Sequence, residues 1–172
     1  MSKLIPIADL DITTGVTSFT VDNVFSSTYT NYKIVFSNVS CNSSNTRSDL
    51  RLLDSSGTEI TSNYSYGFRV KDTAGNNATL YSSSDTEWQS VLTDVFSANG
   101  GLSGWINISQ PYESVYTQIF STSYSGDTTG RLVIYGGQLN ATTSCRGFKY
   151  ITVNSGQTFT SGKIRVFGYR ES

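Results

Sequence analysis

Paired carboxylates are the first place to look for chemistry in this sequence. A glycosidase needs two of them about 5–9.5 Å apart across a glycosidic bond. Asp85 with Glu87, and Glu113 with Asp94, are the candidate pairs. Residues two apart on a strand share a face, so Asp85 and Glu87 would converge if their segment is extended. In a solvated SSSDTE loop they would not. The chain has 13 Asp and Glu, enough to give such pairs by chance, and no second feature supports a hydrolase.

The chain contains no His. That removes Ser-His-Asp and Cys-His activation of a nucleophile, along with the commonest zinc ligand. Cys41 and Cys145 lie too far apart in sequence for a zinc ribbon. Free thiols are the default reading for them, and a disulfide is the alternative. No phosphate-binding glycine motif stands between a strand and a helix. For calcium, Asp9 with Asp11, or Asp72 with Asn76 and Asn77, is the best set of oxygens. Neither matches the regular twelve-residue loop, and Gly75 makes a turn the better account of the second. The expectation is a protein that is not an enzyme and holds no metal or cofactor.

Aromatic residues remain. Eleven tyrosines offer flat apolar faces with a hydroxyl, suited to interfaces and to stacking on sugars. Tyr64, Tyr66, Tyr112, Tyr116 and Tyr124 read as lying in or near loops. The competing reading makes most of them half-buried strand residues. Trp88 and Trp105 read as core or inter-subunit residues.

The elements that would position these residues are short strands separated by Gly, Asn, Ser and Asp turns. The alternation predicts strands over 17–21, 32–39, 49–53, 64–70, 102–108, 115–122, 131–139, 147–153 and 162–169. Residues 88–96 carry apolar positions at helical spacing, but Thr93 and Asp94 weaken a helix, so a strand is preferred there. No long amphipathic helix separates strands, which excludes parallel βαβ units. The expected fold is all-β, an antiparallel β-sandwich that is jelly-roll-like, with one domain over 1–172. The first dozen residues read as a docking arm anchored by Ile5, Pro6 and Ile7, or as a simple edge strand.

Composition agrees with that fold. Charged residues make up 15% and net charge is -1, against a usual charged share of roughly 25%. Ser, Thr and Asn fill the gap. The balance of charge supplies no basic field for nucleic acid, although Lys163, Arg165 and Arg170 cluster near the C-terminus. No apolar stretch approaches the roughly 18 residues of a membrane span, and the N-terminal MSKLIPIADL does not read as a signal peptide. Synthesis in a cytoplasm is the expectation. Six N-x-S/T sequons, from Asn38 to Asn140, carry little weight without a signal.

Two segments carry a resemblance. The opening, through Val16 to Val21, Phe25, Thr28 to Tyr32 and Ile34 to Phe36, resembles the early strands of small virion-associated proteins of tailed, marine-type bacteriophages. The ending from Gly147, with GKIRVFGY over Gly162 to Tyr169, is similar to the last strand of that family, and LNATTS from Leu139 fits as well. The resemblance covers about half of the chain, at its two ends. It implies a β-sandwich of the virion exterior, either a tail fibre or appendage or a head decoration protein. It implies self-association, by analogy a homotrimer, and contacts with other capsid or tail proteins. Ile5, Pro6, Ile7, Tyr64, Tyr66, Tyr112 and Tyr116 are the candidate interface residues. A glycan-binding module that recognises a host surface sugar is the alternative. It would bring two or three aromatics together in one cleft, where a structural role would show a broad flat patch.

Overall fold

Period-two alternation sets the strands. In the segment NYKIVFSNVSC, Tyr32, Ile34 and Phe36 are buried, and the residues between them are half-buried. A strand of that kind needs a covering layer on one face. The computed structural model describes residues 3–43, 46–92, 101–126 and 130–170. Its strands in chain order are β1 (Lys3–Asp11), β2 (Ser18–Val21), β3 (Asn31–Cys41), β4 (Ser48–Asp54), β5 (Tyr64–Asp72), β6 (Asn77–Asp85), β7 (Leu102–Ser109), β8 (Thr117–Ser125), β9 (Arg131–Leu139), β10 (Cys145–Thr152) and β11 (Phe159–Arg170).

They form the expected antiparallel sandwich, divided unevenly. One sheet of eight strands runs β1-β11-β3-β7-β8-β9-β5-β6, and a sheet of three runs β2-β10-β4. The core lies between them. Tyr150 of the small sheet packs on Phe36 of the large one, with ring centroids 4.9 Å apart, and on Phe159 at 5.5 Å. Phe25, in the β2–β3 connection, meets Tyr32 edge-on at 4.8 Å. The Tyr32 hydroxyl accepts from the Ser26 N–H and donates to the Ser26 carbonyl, both at 2.8 Å. That pins the connection to the strand it leads into.

Three strands cannot cover eight, so an irregular segment finishes the job. Trp88, Val91 and Leu92 are fully buried. Trp88 exchanges two backbone hydrogen bonds with Leu50, both 3.0 Å, and its ring meets Tyr64 edge-on at 5.0 Å. The strand expected to begin at Trp88 is therefore corrected: one bridging residue leads into a turn, with Ser90 at φ 50°. The i, i+3, i+4 apolar spacing belongs to that turn, which aims all three side chains at one core. Residues 93–96, the rest of that expectation, lie outside the described residues.

One close approach fixes a glycine. At Gly168 of β11 a Cβ would fall 2.4 Å from the Tyr29 ring, and Tyr29 itself packs edge-on against Tyr32. Gly168→Ala is expected to lower stability by about 1–3 kcal/mol, because the ring has to shift. Thermal unfolding followed by circular dichroism measures this, and an unchanged midpoint would contradict the packing.

Candidate functional site

Asp85 and Glu87 do not converge. Asp85 ends β6, where it accepts from the Tyr66 hydroxyl at 3.2 Å and Gln89 Nε2 at 3.0 Å. Glu87 points inward instead, with Arg51 Nε 2.9 Å from its Oε2. There it bonds to Asp49 of β4, which is 0% exposed. Asp49 also accepts from the Ser90 N–H at 2.9 Å and pairs with Arg47 at 2.8 Å. Burial pushes the Asp49 carboxyl up to about 7, against the pull of Ser90 and Arg47 and with added repulsion from Glu87. No substrate reaches a group this deep. The cluster ties β4 to the turn that carries Trp88. Glu113 is exposed in the β7–β8 loop, and Asp94 lies outside the described residues.

The remaining chemistry resolves in the same way. Asp9 and Asp11 pair with Lys163 at 3.3 and 3.2 Å, and Asp9 also pairs with Arg165 at 3.3 Å. Much of the basic cluster read from the C-terminal sequence is thereby neutralised. Asp72 takes the Asn76 N–H and side-chain amide, each at 2.8 Å, as a turn requires. Among the described residues no three His, Cys, Asp or Glu gather as metal ligands. Cys41 and Cys145 are free and buried. Burial pushes their thiols up to about 11 and about 12, far from the range of a nucleophile at neutral pH.

The candidate interface residues scatter. Tyr64 is a correction. It opens β5, is fully buried, and its hydroxyl accepts from the Leu52 N–H at 2.9 Å. Tyr66 is a second correction. It points to the inner face and stacks on Tyr135 at 5.6 Å. Both lie on the strand expected over 64–70, and strand parity turns them towards the core and away from an interface. Tyr112 and Tyr116 are exposed together in the β7–β8 loop. Ile5, Pro6 and Ile7 lie on β1, paired to β11, with a bulge between Pro6 and Ala8. The edge-strand reading describes them. Trp88 is core, as expected, whereas Trp105 sits half-buried on the opposite face of the large sheet.

That opposite face, turned away from the core, is the candidate site. Cross-strand pairing lines up Pro6, Phe167, Lys33, Asn107, Phe120, Gly136, Gly67 and Tyr81 in one row across all eight strands. The next row runs Asp9, Arg165, Val35, Trp105, Thr122, Ile134, Arg69 and Thr79. Tyr124 stands opposite Leu132 in a third. The centre of the face is thus apolar and aromatic, yet it is open: Phe120 is 48% and Ile134 49% exposed. The Phe120 ring leans on Trp105, with centroids 5.7 Å apart, and Lys33 Nζ lies 4.9 Å from the Trp105 ring centre.

Two glycines form a bare floor beside this patch. Gly67 and Gly136 pair directly across β5 and β9. A Cβ on Gly136 would meet nothing within 4 Å, and one on Gly67 would meet only Leu80 O at 3.9 Å and Tyr81 Cβ at 4.0 Å. Neither has a positive φ. Gly104 is different, since a Cβ there would fall 2.5 Å from Ser123. Glycine inside a strand weakens it, and neither turn geometry nor close packing within the chain accounts for Gly67 or Gly136. Phe120 leans away from the floor, and Tyr81, 84% exposed, does not fold over it. Beside it, Arg69 and Lys71 on the same face of β5 pair with no acid among the described residues.

The sequence does carry a signal for this face. Leu132, Val133, Ile134 and Tyr135 run without a polar break, which a strand with one solvated face does not need. Phe120, Leu132, Ile134, Tyr81, Gly67 and Gly136 come from four strands, and only the sheet pairing brings them to one face. No family model, no curated protein and no solved structure matches the chain.

Proposed function

We propose that this chain is a structural component of the exterior of a tailed-phage virion, a capsid decoration protein or a tail fibre or appendage protein, working through protein–protein contacts. The observation that carries the reading is the outer face of the eight-stranded sheet, open, apolar at its centre and floored by glycine. Eight strands at about 4.8 Å spacing, each about 27 Å long, present roughly 1,000 Å². A standard protein–protein interface takes about 800 Å² from each side. Half-exposed aromatics of this number are unusual on a monomer's open surface. The sequence resemblance supplies the virion.

The alternative, a glycan-binding module, draws on Tyr112 and Tyr116, which share one exposed loop. The aromatics of the sheet face favour the first reading, since they are spread over β6, β7 and β8 of one open face.

Light scattering on the purified chain, alone and with virions or empty heads, is the direct test. Stoichiometric coating is expected. Phe120→Asp is expected to abolish it. Gly136→Thr is expected to abolish it too, while leaving the melting temperature unchanged or slightly raised, since threonine suits a strand and the space is open. A chain that ignores virions, or coats them equally well with both substitutions, would sink the reading.

A further inference from the structure

The two free edges of the large sheet are built differently. β1 carries the usual protections of an exposed edge. It has Pro6, a bulge beside Ile7, and the charges of Lys3, Asp9 and Asp11. β6 has little of this. From Asn77 to Ser84 it holds no charged residue and no proline. Its register against β5 is unbroken from Lys71↔Asn77 to Tyr66↔Ser82, and the only irregularity comes after that. It is exposed along most of its length on both faces, with Leu80 at 53%. Among the described residues nothing pairs with its outer row of backbone groups, and an uncharged, regular strand of this kind is a template for another strand.

We propose that β6 pairs antiparallel with β6 of a second copy of this chain, about a two-fold axis at Leu80, so that two eight-stranded sheets become one of sixteen. This rests on the reading of the chain as self-associating and adds the contact that makes it so. The pairing places Leu80 opposite the partner's Leu80 on the inner face. It places Tyr81 opposite the partner's Thr79 on the outer face, and Ala78 opposite the partner's Ser82. An aromatic against a β-branched residue is a favourable cross-strand pair. No charge meets a like charge, because Asp85 falls beyond the paired stretch. Arg69 and Lys71 of the two copies stand three strand spacings apart, about 14 Å, beyond the screening length of roughly 8 Å at physiological salt. A two-fold contact uses up the edge it is made from. With β1 protected, the assembly stops at two and does not grow into a fibre.

The occupant is a second copy because the edge is complementary to itself. It is neutral against neutral, with its two exposed apolar side chains clustered at the axis. A charged partner strand would find no opposite charge on Asn77 to Ser84.

The test reads mass and proximity. Light scattering is expected to give twice the 18.8 kDa of the chain. Leu80→Lys, which sets two ammonium groups face to face at the axis, is expected to give a monomer with an unchanged circular dichroism spectrum. Leu80→Cys is expected to cross-link to its own copy under mild oxidation, and Asn77→Cys is not, since only the residue at the axis meets itself; both native cysteines are buried. A monomeric or trimeric parent chain would overturn the proposal. So would equal cross-linking at the two positions, even if Leu80→Lys failed to fold. The edge and the face fail separately: Phe120→Asp should leave the dimer mass intact while removing virion coating.

Discussion

Asp49→Asn is expected to favour the folded protein more at neutral pH than at pH 4. A buried carboxyl whose native pKa is raised stays protonated while the unfolded chain ionises. Stability is therefore lost as pH climbs from the ordinary carboxylate value of 3.8 to about 7, and the loss is complete above that. That interval sets a ceiling of about 4 kcal/mol on the effect. The substituted amide keeps an oxygen for the Ser90 N–H and offers Glu87 a donor, but its nitrogen no longer accepts from Arg47, a loss common to every pH. Asp9, Asp22, Asp54, Asp72 and Glu59 are held below their usual values, and they push stability the other way over the acid range. They are common to both proteins, so the difference between the two unfolding curves isolates Asp49. Urea unfolding at half-unit steps from pH 4 to pH 8 measures it. A flat difference, or a variant less stable at pH 7 than at pH 4, would show that Asp49 is ionised in the folded state.

Trp88→Ala is expected to cost about 3–5 kcal/mol. The indole is fully buried and fills the space that the three-stranded sheet leaves uncovered. It packs on Tyr64 and sits over Gly137, where a Cβ would lie 2.8 Å from its Nε1. Its loss leaves a cavity beneath an irregular segment, whose remaining ties are the backbone bridge to Leu50 and the polar contacts of Glu87 and Ser90. Trp88→Phe is expected to be far milder. The indole N–H is buried and makes no hydrogen bond, so removing it relieves an unsatisfied donor while part of the volume is kept. Chemical denaturation of the two variants checks the order. Equal losses would mean that the N–H, and not the volume, matters.

The sandwich was legible because most strands have one buried face. β9 falls on the residues the alternation predicts, and β3 to within two residues at either end. β6 was missed for the opposite reason. NATLYSSSD is exposed along most of its length on both faces, so no alternation is there to be seen. β1 is held by β11, at the far end of the chain, and no local pattern reports such a partner. The 88–92 segment misled because apolar spacing records which side chains share a core and not the backbone that delivers them. Tyr64 and Tyr66 share a strand face in the alternation, but the alternation does not say which face meets the core. The outer face was half legible. The unbroken run from Leu132 to Tyr135 shows a strand apolar on both sides. Gly67 and Gly136 gain meaning only from the space around them, which sequence does not contain.

The pairing of β1 with β11 also governs when this protein can come into being. Lys3 lies opposite Arg170, and Val16 bridges to Phe159. β2 waits for β10. Contacts this distant along the chain carry the entropy of closing nearly the whole loop before they return anything, which makes folding slow. The first strands to leave the ribosome stay partnerless until the last ones follow, with their apolar residues exposed to other nascent chains. β1 and β2 therefore complete their pairing only once β11 and β10 have been synthesised.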